Sequence, residues 1–276
     1  MAFVVNEKDA QNSTKIFYED NGQGKALLFI HGWPLNGDQW EYQVGPLLEA
    51  GYRCITYDRR GFGRSDRPST GYDYITFAAD LKAVIDATGA KDITLVGFSM
   101  GGGEIAKYFS EFGGAKVSKV VLISSILPFM LLTEDNQDGV PQKVFDEMAE
   151  AIKNDRPAFL ESFTKDFSNV GLLKSPVSEA YMQQSINVAM QASGVATLKA
   201  ANSFATTDFR SDLAHIKVPC LIIHGTADKI VPIEKSSDRT SAMMPSATYK
   251  KYDGEPHGLF YTSRNELVQD LIAFVG

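Results

Sequence analysis

Leu95-Val96-Gly97-Phe98-Ser99-Met100-Gly101-Gly102-Gly103 decides how this chain is read. The apolar run that leads into it, Asp92-Ile93-Thr94-Leu95-Val96, has the composition of a strand buried in a parallel sheet. The residues that follow, Glu104-Ile105-Ala106-Lys107-Tyr108-Phe109, have helical composition and spacing. Between them Gly97-Phe98-Ser99-Met100-Gly101 has the form G-x-S-x-G, a tight strand-to-helix turn that lifts a serine hydroxyl clear of the sheet. Both glycines are needed. The backbone at the serine is crowded, and a β-carbon two positions to either side would collide with the neighbouring strand or helix. Ser99 is therefore expected above a sheet, at a helix N-terminus that favours developing negative charge. The pattern points to nucleophilic serine chemistry.

Working outward, strand-like runs at 16–19, 26–30, 53–57, 93–96, 117–123, 219–223 and 247–252 alternate with helical patterns at 39–50, 76–88, 102–112, 234–244 and 263–274. This alternation predicts an α/β fold: a mostly parallel, eight-stranded sheet with helices on both faces, built from residues 1–126 and 210–276. Residues 127–209 break the rhythm. They are mostly helical, with patterns at 144–153, 157–166, 178–192 and 194–204, and rich in apolar side chains such as Phe129, Leu132, Phe145, Phe159 and Phe163. A stretch this long between two strands of one sheet is more than a connection, and it is read as a small inserted helical lid.

Bulk properties exclude several functions. A formal charge of −7 and the lack of any basic run argue against nucleic acid or an anionic membrane surface as partner. No basic, apolar leader opens the chain, and its longest apolar runs fall far short of the roughly 20 residues that span a bilayer. A cytoplasmic location is the expectation. Cys54 and Cys220 each lie in a strand-like run, apart from any C-x-x-C pair, and are read as buried free thiols. No metal and no cofactor are expected.

A serine is a weak nucleophile until a base takes its proton and a third group orients that base. Four histidines are available. His257 lies in Asp253-Gly254-Glu255-Pro256-His257-Gly258, a loop between the last strand and the last helix, from which an imidazole can reach over the sheet. His31 and His224 each precede a glycine at a strand end, where they are read as shaping loops, and His215 is placed on a surface turn. For the acid, Asp228 follows the strand-like run 219–223 by a short loop, whereas the run 117–123 ends without a carboxylate. Asp253 and Glu255 are rivals, but their own tight loop does not aim them at the back of the ring. The order Ser99, Asp228, His257 is the nucleophile, acid, base order of α/β hydrolases. An oxyanion needs two aimed N–H donors. The amide of Met100, directly after the serine, is one; the amide of Trp33, in Phe29-Ile30-His31-Gly32-Trp33-Pro34, is the other, since Pro34 has no N–H to give.

These motifs together resemble the α/β-hydrolase superfamily. More narrowly they resemble its cofactor-free haloperoxidases (the bacterial non-haem chloroperoxidases or perhydrolases) and the related aryl esterases. The likeness is carried by His31-Gly32-Trp33-Pro34, by Tyr57-Asp58-Arg59-Arg60-Gly61-Phe62-Gly63-Arg64-Ser65-Asp66, by 97–103, by 218–228 and by Pro256-His257-Gly258. It spans nearly the whole chain and is weakest in the lid. The resemblance implies a serine esterase acting on small carboxylic esters or acids, in which hydrogen peroxide can replace water and release a peracid that oxidises halide in solution. It also implies that a proline directly after the oxyanion tryptophan accompanies perhydrolysis, as Pro34 does here. By position in such folds, Trp33, Phe98, Ile126, Phe159, Phe163 and Ile230 line the acyl pocket. Other readings stay open at this point. The same triad serves lactonases, lactamases and carbon–carbon bond hydrolases, and some small-molecule receptors are built on intact hydrolase folds. Dehalogenases and epoxide hydrolases carry an aspartate where this chain has Ser99. Association into a homo-oligomer is left open.

Overall fold

The computed structural model describes residues 2–6, 13–171 and 175–276. Among these residues eight strands form one sheet: β1 Ala2–Val5, β2 Lys15–Asn21, β3 Ala26–Ile30, β4 Arg53–Tyr57, β5 Ile93–Phe98, β6 Val117–Ile123, β7 Cys220–Gly225 and β8 Thr248–Tyr252. Their spatial order is β1-β2-β4-β3-β5-β6-β7-β8. The β1–β2 and β2–β4 pairings are antiparallel and every pairing from β4 through β3 to β8 is parallel. β5, which carries the G-x-S-x-G turn, sits between β3 and β6 in the middle of the sheet.

The strand runs are apolar on both faces because helices cover both faces. Side chains of one parity, Leu28, Ile55, Leu95, Leu122 and Ile222, pack with Phe77, Leu81 and Val84 of α2 (Tyr74–Thr88) and Ile105 of α3 (Met100–Phe112). Those of the other parity, Leu27, Phe29, Val96, Val121 and Ile223, pack with Leu47 of α1 (Glu41–Glu49) and Leu267 and Leu271 of α9 (Arg264–Val275). Each such buried side chain contributes about 1.5–3 kcal/mol by leaving water. Cys54 and Cys220 are buried and free, and burial pushes both thiols up to about 12.

The expected elements recur with local differences. β1 adds an edge strand that the pattern at the start of the chain did not announce. Its side chains alternate between half-buried and exposed, and a four-residue run of that kind gains its order by pairing with β2. The helical patterns at 144–153 and 157–166 join into α4 (Gln142–Phe167), kinked at Asp155, whose backbone leaves the helical region (φ −153°, ψ 86°). The Asp155 carboxylate accepts the Ala158 amide at 3.0 Å, an N-cap that restarts the helix with Pro157 in its first turn. The pattern at 234–244 splits into a 3₁₀ turn, Ile233–Lys235, and α7 (Ser237–Met243) about the non-helical Ser236. The final pattern at 263–274 forms α9, and a short α8 (Leu259–Thr262) that the pattern did not include precedes it.

Between β6 and β7 the chain leaves the sheet for α4, α5 (Glu179–Met190) and α6 (Gly194–Thr206). This excursion packs over the C-terminal ends of the parallel strands, where Phe159 and Phe163 of α4 meet the Trp33 ring at 6.0 and 5.2 Å between centroids.

The serine turn is as crowded as its glycines predict. Ser99 has φ 54° and ψ −118°, a strained backbone for a residue with a side chain. A β-carbon on Gly97 would lie 2.8 Å from the Gly101 carbonyl oxygen, and one on Gly101 would lie 2.6 Å from that of Ile30. Both obstacles are backbone, which cannot swing aside. Gly101→Ala is therefore expected to lower stability by about 1–3 kcal/mol in urea unfolding with an unchanged m value. A variant as stable as the parent would show that the turn has room it is not predicted to have.

Candidate active site

Three strand ends deliver three side chains to one place. Ser99 follows β5, Asp228 lies three residues beyond β7, and His257 lies in the loop after β8. His257 Nε2 is 3.1 Å from Ser99 Oγ, and His257 Nδ1 is 2.6 Å from Asp228 Oδ2. All three residues are buried. A carboxylate only accepts, so Nδ1 carries the ring proton and Nε2 presents a lone pair to the serine hydroxyl. The arrangement can deprotonate a serine as it attacks a carbonyl carbon.

Asp228 is held by more than its histidine. Its Oδ1 accepts the amides of Ile230 and Val231 at 2.9 and 2.8 Å. Burial pushes its carboxyl upward, but the facing His257 and the bonds from His224 and His257 outweigh that and hold it well below the usual carboxylate range. The rival acids point elsewhere. Asp253 accepts the Thr226 hydroxyl at 3.1 Å, and Glu255 accepts that of Thr262.

The histidines divide as expected, one of them with a further contact. His215 is exposed at the end of a 3₁₀ turn, Asp212–His215. His31 shapes its loop: Nε2 accepts the Arg59 amide at 2.9 Å, and burial, helped by the Arg59 charge, holds its pKa well below the ordinary histidine value. His224, read from sequence as a loop-shaping residue too, bonds the Val231 carbonyl across its loop at 2.9 Å and in addition lies 3.1 Å from Asp228 Oδ2. The signal available for it is the four-residue spacing to Asp228 across the turn at Gly225, which folds one side chain back onto the other.

The His257 ring rests on Phe98 and Phe167, each 4.8 Å away between centroids. This corrects the expectation for Phe98. It does not line the cavity beside Ser99. It has the parity of Val96, is fully buried on the α1 and α9 face, and supports the imidazole from beneath.

The loop after β3 passes close over the serine. A β-carbon on Gly32 would come within 3.3 Å of Ser99 Cβ and 2.5 Å of the Phe98 ring, so only glycine lets this loop approach. Gln39 accepts the Gly32 amide at 3.0 Å, and the Trp33 indole donates to the Thr197 carbonyl at 2.9 Å. The loop is thus tied on one side to the turn before α1 and on the other to α6. The amides of Trp33 and of Met100 take no protein acceptor among the described residues. Two unpaired N–H groups flanking a nucleophile are what a developing oxyanion requires.

A cavity of about 250 Å³ opens on Ser99 and His257. Trp33, Ile126, Phe159, Phe163 and Ile230, the residues that the resemblance assigns to an acyl pocket, are among those lining it. Met130, Val140, Val144, Phe145, Met148, Phe204 and Val231 complete its apolar wall, and Lys229 also lines it. These additions come from the excursion or from the turn beside Asp228, where no local pattern reveals which side chains face inward.

The comparisons with known proteins agree with this geometry. A model of the alpha/beta hydrolase fold matches residues 25–263. The chain belongs to the α/β-hydrolase family. A non-haem haloperoxidase of Rhodococcus erythropolis is 38% identical over 276 residues, covering 100% of this chain and 99% of its own. A bifunctional esterase/perhydrolase of Acinetobacter calcoaceticus is 35% identical, covering 96% of this chain and 97% of its own. The crystal structure of a bromoperoxidase from Bacillus anthracis superposes with a TM-score of 0.94 at 42% identity, covering 99% of both chains. Within its family this α/β hydrolase therefore groups with the non-haem haloperoxidases. Among the described residues no helix is long and apolar enough to cross a membrane, and no group of three or more His, Cys, Asp or Glu side chains could hold a metal ion.

Proposed function

We propose that this α/β hydrolase cleaves small carboxylic esters through an acyl-enzyme on Ser99 and passes the acyl group to water or to hydrogen peroxide. His257 takes the Ser99 proton as Oγ attacks the carbonyl carbon, and the Trp33 and Met100 amides hold the oxyanion. Asp228 fixes the imidazole tautomer and stabilises the imidazolium. His257 then returns the proton to the departing alcohol. In the second half, His257 activates water, which gives the carboxylic acid, or peroxide, which gives the peracid; either way the acyl–Oγ bond breaks and Ser99 recovers its proton. The peracid oxidises halide after it leaves, so the halide needs no site. Residues 127–209 act as the lid that closes the acyl pocket from water.

The observation that carries this reading is the hydrogen-bonded Ser99–His257–Asp228 row facing an apolar cavity of about 250 Å³. Such a wall suits a short acyl or aryl group. The names of the relatives, haloperoxidase and esterase/perhydrolase, and the proline at position 34 support the peroxide branch. The test is p-nitrophenyl acetate turnover with and without hydrogen peroxide, with monochlorodimedone and bromide as the peracid trap. Many cycles per enzyme are expected, with peroxide diverting product from acetate to peracetate. A single slow burst would mark a receptor-like hydrolase relative and sink the proposal. Many cycles with no trapped oxidant would leave a plain esterase.

A further inference from the structure

Beside the row stands a buried titratable side chain to which the reaction above assigns nothing. His224, in β7, is fully buried. Its Nε2 lies 2.9 Å from the Val231 carbonyl oxygen and 3.1 Å from Asp228 Oδ2, and its Nδ1 lies 2.7 Å from Ser237 Oγ. A carbonyl only accepts, so Nε2 carries the proton and Nδ1 accepts from the Ser237 hydroxyl. The single Nε2–H bonds the Val231 carbonyl, and the same nitrogen edge stands 3.1 Å from the Oδ2 that receives Nδ1–H from His257.

We propose that His224 is a positioning residue for the reaction: by sharing Oδ2 of Asp228 with His257, it limits how strongly the carboxylate holds the imidazolium. A carboxylate offers about four lone-pair sites. Asp228 fills three of them with the Ile230 and Val231 amides on Oδ1 and the His257 Nδ1–H on Oδ2, where the positive edge of the His224 ring stands alongside at 3.1 Å. Three donors and this contact fix the plane of the carboxylate. The His224 edge also draws charge from the oxygen that faces His257. That matters because the same imidazole must accept a proton from Ser99 and then surrender it, which works best when it is not held too firmly protonated. The other charged groups near His224 are Asp238 of α7 and Lys251, its partner across the β7–β8 register; these pair with each other at 2.6 Å. Asp228 is the anion that His224 meets directly.

The inference rests on the row being the catalytic machinery, which the Ser99 variant below decides separately. The test compares the wild type, His224→Leu and His224→Gln by the pH dependence of kcat/KM on p-nitrophenyl acetate. Leucine removes the donor, so the carboxylate turns wholly to His257 and the acid limb is expected to move to higher pH by about one unit. Glutamine can donate from its amide nitrogen, and the limb is expected to return towards the wild-type position. An unmoved limb in folded His224→Leu, or a limb moved to lower pH, overturns the proposal, since a purely structural histidine would change stability or kcat and leave the profile in place. Nitrogen-15 shifts of the wild-type imidazoles test it without any variant. His224 is expected to carry its proton on Nε2; a ring with its proton on Nδ1 instead overturns the proposal even if His224→Leu fails to fold.

Discussion

Ser99→Ala is expected to reduce kcat on p-nitrophenyl acetate by at least about 10⁴-fold while leaving the urea midpoint close to that of the parent. The reasoning is geometric. Oγ is the atom 3.1 Å from His257 Nε2, and its removal leaves an imidazole with no nucleophile to activate. The fold does not depend on it. The turn is set by Gly97 and Gly101 and by backbone bonds such as the Ser99 amide to the Ile123 carbonyl at 2.9 Å, all of which alanine keeps. What survives is the rate that two oxyanion donors and a shaped pocket supply without covalent chemistry, roughly 10³-fold over water. His257→Ala should fall to the same level, and the double variant should fall no further, because the two side chains act as one unit. Activity of Ser99→Ala within tenfold of the parent would end the nucleophile assignment, and so would full additivity of the two losses.

Much of this was legible in the chain because it is written in local patterns. The G-x-S-x-G turn needs only neighbouring residues to fix it, so Ser99 and both glycines could be read directly. Asp228 and His257 could be read because parallel sheets place their functional side chains at strand C-terminal ends, and each follows a recognisable strand-like run. The parity of Phe98 with Val96 was also in the sequence, and it assigns Phe98 to the face beneath the imidazole rather than to the cavity. Other features depend on contacts between distant segments. The inward aim of Met148 and Phe204 is set by how α4 and α6 cross one another. The closeness of His224 to Asp228 depends on how sharply the chain turns after β7. The edge strand β1 takes its order from β2, since its own four residues are half exposed.

Asp228→Asn is expected to lower kcat by on the order of 10³–10⁴-fold with a much smaller change in KM. The bonds around the carboxylate explain why so small a change costs so much. Oδ1 is committed to the Ile230 and Val231 amides, which only donate. In the variant the amide oxygen must stay on that side, so the NH₂ group faces His257. It donates to Nδ1, and the ring proton moves to Nε2, where it points at Ser99 and cannot accept the hydroxyl proton. The NH₂ group also confronts the Nε2–H of His224, donor against donor. The same replacement has a signature in stability. The folded carboxyl is held below its unfolded value of about 3.9, so it stabilises the native state above that pH and loses the contribution as pH falls towards its folded value. Asparagine carries no such contribution. The stability difference between wild type and Asp228→Asn, measured by urea unfolding, should therefore shrink as the pH falls below about 4. A difference that did not shrink there would mean that the carboxyl is not held ionised in the fold. Full activity in the asparagine variant would mean that the carboxylate does not set the tautomer of His257.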